Sequence, residues 1–359
     1  MKERHASFPR KPGGMNRRRM LARAALSAAG LTGLAACSNS APPASNAEGN
    51  FPAHPKWNFV FVNHVTTNPF FTPTRYGIED ACALLGCTYQ WVGSENNKVS
   101  EMVDAMNSAI VSKKADGIAV SLLDPTAFDD PISLAFNAGI PVIAYNADVP
   151  AGSKNKRLAY IGQDLYQTSL QVGAHIIDLV PAGDVVGFIA TPGSLNLQPR
   201  IDGIHDAIKN AQKPITFVEI ATGAAVSDEL AAIEEYYLGH KNVKGMFAVD
   251  GGSTQCVGQI MEKYNLAAQG IHAGGYDLQP LTLAAVNKGN LDFTIDQQPY
   301  LQGFLPVVQL FLYKLSGGLQ QPSNTNTGLL FVTKDNINPY LKTQTRFEGS
   351  SSKEFVVPR

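Results

Sequence analysis

The chain has 359 residues, with 29 basic and 30 acidic side chains, a formal charge of −1 and a hydrophobic content of 44%. Residues 1–36 hold eight of the basic residues and one acidic residue, so the rest of the chain has a formal charge of −8. This balance argues against a nucleic-acid surface, which needs clustered lysine and arginine. About 320 residues exceed the usual size of a single hydrophobic core, so two domains or lobes are expected.

The first 36 residues are organised like an export signal. A basic run at 17–19 precedes a mildly apolar stretch at 21–36, and small residues lead directly to Cys37. A cysteine immediately after such a cleavage site is where a bacterial lipoprotein is acylated. The arginine run before Met20 also resembles a twin-arginine signal. We therefore expect lipidation at Cys37 and a membrane-attached location in the periplasm or at the cell surface.

Two alternatives apply to the same segment, namely a transmembrane helix and an ordinary cleaved signal in which Cys37 is incidental. The apolar stretch is short for a membrane span and contains Arg23. Met15 is an alternative start site. Residues 37–56, rich in Ser, Ala, Asn and Pro, predict a flexible spacer, and no later stretch is long and apolar enough to span a bilayer.

From residue 58 onward, short apolar runs alternate with helical patterns. Strands are predicted at 58–62, 117–121 and 141–145, with apolar residues at helical spacing over 99–110. Pro125 is expected to open a helix that Gly139 closes. Strands joined by helical crossovers indicate a parallel, doubly wound α/β sheet.

The pattern repeats after a strand at 158–161. The following strands are predicted at 184–189, 215–220, 245–249, 271–275 and 292–295. Helices are expected to begin near Gln198, Ser227, Ser253, Pro280 and Pro299. The count predicts two similar α/β lobes.

Polar and aromatic residues follow several of the predicted strands. In open parallel sheets the loops at the carboxyl ends of strands hold the ligand groups. The residues at these positions are Asn68, Phe70, Phe71, Asn146, Thr191, Asp250, Asp277 and Gln297. Asn, Asp and Thr also cap helices, so each of these positions has a capping alternative. Together with Arg200, they favour a polar site shared by both lobes.

Four short motifs carry a family resemblance. They are Asn68-Pro69-Phe70-Phe71, Asp116-Gly117-Ile118, Gly139-Ile140-Pro141-Val142 and Gly275-Tyr276-Asp277. In this order and spacing, the chain resembles the periplasmic sugar-binding proteins of ATP-driven (ABC) importers, the type I group that includes the ribose- and galactose-binding proteins. The resemblance spans residues 59 to about 332.

The resemblance implies a role for each site residue. Phe70 and Phe71 match aromatics that pack on the faces of the sugar ring, and Asn68 matches a hydroxyl partner. Arg200 matches a donor to the ring oxygen and a neighbouring hydroxyl, and Asp277 matches an acceptor of two vicinal hydroxyls.

Gln297 matches an amide on the last hinge strand, and Asp250 falls where relatives carry Asn or Asp. No catalytic residue, metal or cofactor is implied.

Two departures concern the ligand. Ribose-binding relatives have Asp followed by Arg after the fourth strand, whereas this chain has Asn146 and Ala147. An aromatic hinge residue is replaced near Thr222 and Gly223. One charged clamp and one stacking wall are therefore missing, which argues against ribose and favours a hexose, a polyol or a cyclitol.

The resemblance also implies a hinge near Gln163, Gln297 and Thr327. The first lobe is then residues 57–162 with 298–326, the second is 163–297 with 327–340, and a tail covers 341–359. Closure on the ligand would expose a form that an ABC permease recognises. A membrane chemoreceptor or a histidine kinase is the alternative partner, and the protein is expected to be a monomer.

Catalysis is the remaining alternative. The sequence lacks a nucleophile elbow, a His-rich metal motif and a phosphate loop, although Asp250 and Asp277 admit a glycosidase pair. We expect a binding protein rather than an enzyme. Cys82 and Cys87 flank a predicted helix end, where a short disulfide and two buried free thiols are both open interpretations.

Overall fold

The computed structural model describes residues 51–354 and 356–357. Cys37 and the predicted signal lie outside these residues. The strands are β1 (Asn58–Asn63), β2 (Thr88–Gly93), β3 (Gly117–Val120), β4 (Val142–Tyr145), β5 (Tyr160–Gly162), β6 (Gly183–Ile189), β7 (Ile215–Ala221), β8 (Gly245–Ala248), β9 (His272–Tyr276), β10 (Phe293–Asp296), β11 (Thr325–Asn326) and β12 (Leu330–Thr333).

The helices are α1 (Thr72–Leu85), α2 (Val99–Val111), α3 (Asp129–Asn137), α4 (Leu165–Leu179), α5 (Gln198–Ala211), α6 (Val226–Gly239), α7 (Gly251–Lys263), α8 (Pro280–Lys288), α9 (Pro299–Leu315) and α10 (Asn338–Lys342). Short 3₁₀ turns occupy Pro69–Phe71 and Ala267–Gln269. No helix in the described part of the chain has the length and apolar character needed to cross a membrane.

The strands form two six-stranded sheets. The first has the order β11-β5-β4-β3-β1-β2, and all its pairs are parallel. The second has the order β12-β10-β9-β8-β6-β7, in which only the β10–β12 pair is antiparallel. Helices connect successive strands except between β4 and β5 and between β11 and β12, so each sheet is the centre of one α/β lobe, as predicted.

Successive side chains of a strand point to opposite faces of the sheet, so the core of each lobe lies on both faces of its sheet. On β1, Phe59 and Phe61 pack on one face with residues of α1 and α9, while Val60 and Val62 pack on the other face with residues of α2 and α3. All four side chains are fully buried. Each contributes about 1.5–3 kcal/mol by leaving water, which explains why the inner strands are continuous apolar runs.

Glycines bring the covering helices into close contact. A Cβ on Gly303 of α9 would lie 1.9 Å from the carbonyl oxygen of Thr74 on α1. A Cβ on Gly203 of α5 would lie 2.7 Å from the carbonyl oxygen of Tyr166 on α4. Gly203 therefore sets the position of α5, the helix that carries Arg200.

The chain passes between the sheets three times: after β5, after β10, and between β11 and β12. Polar side chains join these crossing segments. Gln163 Nε2 donates to the carbonyl of Gly328 at 3.1 Å, and Thr327 Oγ1 donates to the carbonyl of Gln297 at 2.8 Å. Because Gln163, Gln297 and Thr327 are buried, these bonds replace the water that their polar groups lose.

The C-terminal tail makes a fourth link between the lobes. In the second lobe, Tyr340 Oη of α10 donates to Asp296 Oδ2 at 3.0 Å. Shortly afterwards the chain reaches α1 of the first lobe, where the Arg346 guanidinium contacts Glu79 at 3.0 Å and Asp80 at 2.8 Å. Arg346 is buried, so these ion pairs are held more firmly than exposed ones.

One predicted helix start is wrong. Pro125 was expected to open a helix, whereas α3 begins at Asp129. The Asp124 carboxylate accepts hydrogen bonds from the backbone N–H groups of Thr126 and Ala127, both at 2.8 Å, and this Asx turn holds the intervening segment out of the helix.

The cysteines of this region are not paired with one another. Cys82 and Cys87 are buried free thiols, which matches the free-thiol interpretation and not the disulfide. Burial raises the pKa of the Cys82 thiol to about 12 and that of Cys87 to about 11.

Candidate functional site

A cavity of about 690 Å³ lies between the two lobes, at the carboxyl ends of their strands. All eight residues predicted to bind ligand line it. The first lobe contributes Asn68, Phe70, Phe71 and Asn146, and the second contributes Arg200, Asp250, Asp277 and Gln297. Thr191 lines it as well. Side chains that are far apart in sequence thus meet in one place, because the ends of parallel strands share one edge of each sheet.

Arg200 is held in a fixed orientation near the centre of this site. Its Nη1 donates to the carbonyl of Val249 at 2.8 Å, and its Nη2 donates to Gln297 Oε1 at 3.1 Å. The guanidinium lies over the Tyr276 ring, 4.2 Å from its centroid. The Tyr276 hydroxyl is in turn hydrogen-bonded to Ser169 Oγ at 2.7 Å. The buried Nε of Arg200 has no hydrogen-bond partner among the described residues, so it remains available as a charged donor.

Asp277 lies beside Arg200 with its backbone in the left-handed region, at a φ of +76°. Gln297 Nε2 donates to its Oδ1 at 2.7 Å. Burial raises the pKa of the Asp277 carboxyl to about 6, while the Arg200 cation and the Gln297 amide act in the opposite direction. At neutral pH this side chain is therefore an ionised acceptor with one oxygen already engaged.

Asp250 both lines the cavity and caps α7. Its Oδ1 accepts from the backbone N–H of Ser253 at 2.8 Å, and its Oδ2 accepts from that of Ala190 at 3.0 Å. The exposed Asn68 similarly accepts from the backbone N–H of Phe70 at 2.9 Å. For these two residues the capping alternative is realised, although both also line the cavity.

Asn146 connects the first lobe to the crossing segments. It adopts a φ of +63°, a conformation that Asn tolerates better than most residues. Its Nδ2 donates to Gln302 Oε1 at 3.0 Å, and Gln302 Nε2 donates to the carbonyl of Gln297 at 3.1 Å. The next residue, Ala147, is fully buried in the apolar core, so this position offers no second cation.

The two phenylalanines differ in their surroundings. Phe71 is 2% exposed and packs in the core of the first lobe, edge-on to His64 at 5.2 Å. Phe70 is half-buried and meets Phe71 edge-on, with ring centroids 4.8 Å apart. Phe70 is therefore the ring with more surface available to a ligand, while Phe71 supports it.

Sequence reasoning missed Glu229 and Gln279. Both line the cavity, and each has a buried oxygen without a hydrogen-bond partner in the part of the chain that the structure describes. Glu229 is on α6 and only 2% exposed. Burial and the neighbouring Asp250 carboxylate raise the pKa of the Glu229 carboxyl to about 8. The only available signal was the Gly251-Gly252 pair, which leaves space at the start of α7 for side chains from other helices.

His64 also lines the cavity, but its ring is hydrogen-bonded to Ser121 Oγ at 3.1 Å. Burial lowers the pKa of His64 to about 4, so the ring is neutral at pH 7. Thr222, at the position where an aromatic wall was expected to be missing, is hydrogen-bonded to Ser253 Oγ at 2.9 Å and does not line the cavity.

Comparisons with known proteins place these features in context. A family model for the periplasmic binding protein domain matches residues 59–317. The chain is 52% identical over 316 residues to the xylose/arabinose-binding protein XylF of Sulfolobus acidocaldarius, covering 85% of this chain and 77% of that protein. It is 23% identical over 239 residues to the ribose import binding protein RbsB of Bacillus subtilis, covering 66% and 75% respectively.

Among solved structures, an ABC transporter solute-binding protein from Burkholderia graminis in complex with D-arabinose aligns with a TM-score of 0.74 and 27% identity. The alignment covers 81% of this chain and 99% of that one. These matches confirm the predicted fold class and family resemblance. They also confirm the expectation of a binding protein rather than an enzyme, because the relatives are named as binding proteins.

Proposed function

The chain belongs to the family of periplasmic sugar-binding proteins that serve ABC importers, and we propose that it captures a pentose, xylose or arabinose, between its two lobes. The observation that carries this proposal is that Arg200, Asp277 and Asn146 converge from both lobes on one cavity, beside the Phe70 ring. In this cavity the neutral hydroxyls of a sugar form hydrogen bonds with charged side chains. Such charge-assisted hydrogen bonds are stronger than those between neutral groups.

Each side of the sugar has a matching group. The Nε of Arg200 donates to a ring oxygen or hydroxyl, and the free oxygen of Asp277 accepts from a hydroxyl. Phe70 offers an aromatic surface to the C–H groups of the ring. The pentose replaces the wider expectation of a hexose, polyol or cyclitol because of the 52% identity to a xylose/arabinose-binding protein.

Closure completes the site. The three crossing segments at Gln163, Gln297 and Thr327 are the hinge about which the lobes turn, and closure removes water from the polar contacts. Gln297 takes part in both the hinge and the ligand site, because it belongs to a crossing segment and also orients Arg200 and Asp277.

A thermal-shift and calorimetric panel tests the ligand. D-xylose, L-arabinose and D-arabinose are expected to raise the melting temperature, because a ligand that binds only the folded state stabilises it by mass action. D-ribose, D-glucose and myo-inositol serve as comparison ligands. Preferential binding of a hexose or of myo-inositol over every pentose refutes the pentose assignment.

We further propose that a lipid on Cys37 holds the protein at the outer face of the membrane, from which it delivers the sugar to an ABC permease. Cys37→Ser is expected to release the protein from the membrane fraction or to leave an unprocessed precursor. Unchanged membrane association excludes the anchor.

Delivery is tested separately by uptake. Loss of the gene is expected to abolish the uptake of labelled arabinose or xylose at low concentration. Intact uptake accompanied by altered sugar-dependent transcription assigns the protein to sensing instead.

A further inference from the structure

Three buried polar atoms without partners meet at the cavity. Residues 51–354 contain six such side-chain atoms, and Arg200 Nε, Glu229 Oε2 and Gln279 Oε1 are the three whose residues line this site. Buried polar groups in folded proteins are nearly always hydrogen-bonded. A concentration of exceptions in one cavity indicates groups that a proton or a ligand satisfies.

Two glycines at the start of α7 make this arrangement possible. A Cβ on Gly252 would lie 2.2 Å from Glu229 Oε2, and a Cβ on Gly251 would lie 2.0 Å from Gln279 Nε2. A Cβ at either position would force the facing end of Glu229 or Gln279 out of its present place. The glycines thus admit a carboxyl group from α6 and an amide from the residue before α8 to the same wall of the cavity.

The Glu229 carboxyl lies against Gly252 at the start of α7, the helix that Asp250 caps, and burial together with the Asp250 carboxylate raises the pKa of Glu229, which favours a proton on one of the two carboxyls. Burial raises the pKa of Asp250 as well, but both of its oxygens accept from backbone N–H groups, and these bonds favour its ionised form. Glu229 has no such donors, so the proton belongs on Glu229. The other titratable groups that act on this pair are Arg200 on α5, Asp228 on α6, Cys256 on α7 and Asp277 after β9.

We propose that Glu229 and Asp250 share one proton and that Glu229, as a neutral acid, is a specificity-determining contact that restricts the site to uncharged polyhydroxyl ligands. The inference rests on the proposed sugar-binding function and adds a residue to it. Among the residues that line the cavity, Arg200 carries a positive charge, whereas Asp250 and Asp277 are ionised acids at neutral pH. An anionic ligand therefore meets an excess of negative charge. Loss of the shared proton adds a further buried negative charge, which closure makes more costly.

The test measures the affinity for L-arabinose and D-xylose by calorimetry between about pH 6 and about pH 9, together with the melting temperature of the sugar-free protein. The wild-type affinity is expected to fall by up to about tenfold per pH unit above about pH 8. Glu229→Gln is expected to flatten this profile, and Glu229→Ala to weaken binding about tenfold or more at neutral pH. Glu235→Gln, an exposed change on the same helix, is the matched control and should follow the wild type.

The sugar-free melting profile reports on the proton itself. A carboxyl whose pKa is raised on folding makes the folded protein bind more protons than the unfolded chain, so stability falls as pH rises from about 4.5 through about 8. Glu229→Gln should lack that part of the fall. Identical profiles for wild type and Glu229→Gln, in both affinity and melting temperature, overturn the proposal.

A third arm uses D-xylonate, the anionic acid of the same carbon skeleton. It is expected to bind at least about tenfold more weakly than D-xylose, and equal affinity overturns the restriction to uncharged ligands. If the wild type binds none of the sugars, the proposed function fails instead. The sugar-free melting profile then still decides whether Glu229 and Asp250 share a proton.

Discussion

Replacement of Arg200 by lysine separates the geometry of the guanidinium from its charge. Arg200 presents five N–H groups, of which Nη1 and Nη2 each donate one to the protein, while the buried Nε–H is free for the ligand. Lysine keeps the charge but not the planar fork, so it cannot reach Val249, Gln297 and the sugar together. A hydrogen bond from a charged donor contributes about 1.5–3 kcal/mol, which corresponds to about 10- to 150-fold in affinity.

Arg200→Ala should cost more. It removes the Arg200 donors to the Val249 carbonyl and to Gln297 Oε1 and leaves Asp277 without its neighbouring cation. Removal of one partner from a buried charged arrangement costs about 3–5 kcal/mol, so sugar binding is expected to become undetectable by calorimetry.

Calorimetric titration of arabinose into each variant measures the loss, and circular dichroism establishes that the variants are folded. Lys209→Ala, an exposed basic residue on the same helix, is the control and should bind like the wild type. The reasoning is refuted if a folded Arg200→Lys protein binds arabinose with an affinity within about twofold of the wild type, because the loss of one hydrogen bond costs more than a twofold change.

Three further outcomes are expected. Phe70→Ala should weaken sugar binding with little change in urea unfolding. Phe71→Ala should instead lower the free energy of unfolding by about 3–5 kcal/mol, because that ring is in the core. Equal effects of the two variants on binding and on stability contradict this assignment of Phe70 to binding and Phe71 to the core. The pKa of His64 is lowered from 6.5 to about 4, so its contribution to stability is complete above about pH 6.5 and is lost towards pH 4. Urea titrations should show an acid loss of up to about 3 kcal/mol that His64→Gln lacks. Arg346→Ala should free the tail from α1 and enlarge the sugar-free protein in small-angle X-ray scattering, and superimposable curves argue against a restraint by the tail.

Sequence patterns predicted the parts of the site that depend on the direction of a strand. Asn146, Asp277 and Gln297 each follow a short apolar run, and parallel strands bring such residues to one edge without further information. Arg200, near the start of α5, was given its role by the family resemblance. The lobe architecture could also be predicted, since alternating strands and helices admit few other arrangements.

Contacts that depend on packing between distant helices could not be predicted. Glu229 follows Asp228 in the first turn of α6, where acidic residues are common because they oppose the positive end of the helix dipole. Its sequence context is therefore that of a solvated residue. Its burial follows from the close approach of α7 at Gly252, and no local pattern encodes that approach.

Adjacent phenylalanines posed a similar problem. Phe70 and Phe71 are equivalent in the sequence motif, but the 3₁₀ turn at Pro69–Phe71 sends one ring into the core and leaves the other at the cavity. The bond between Asn146 and Gln302 joins residues 156 positions apart. Only the assembled fold brings such pairs together.

The fit between Gly252 and Glu229 also constrains the order in which this site can change during evolution. An alanine at position 252 would place a carbon atom 2.2 Å from Glu229 Oε2, so that step displaces the Glu229 carboxyl from its present position. A shorter residue at position 229 removes the obstacle first. Alanine at position 252 is therefore expected to weaken sugar binding while Glu229 is present, and to be tolerated better once position 229 holds a shorter residue.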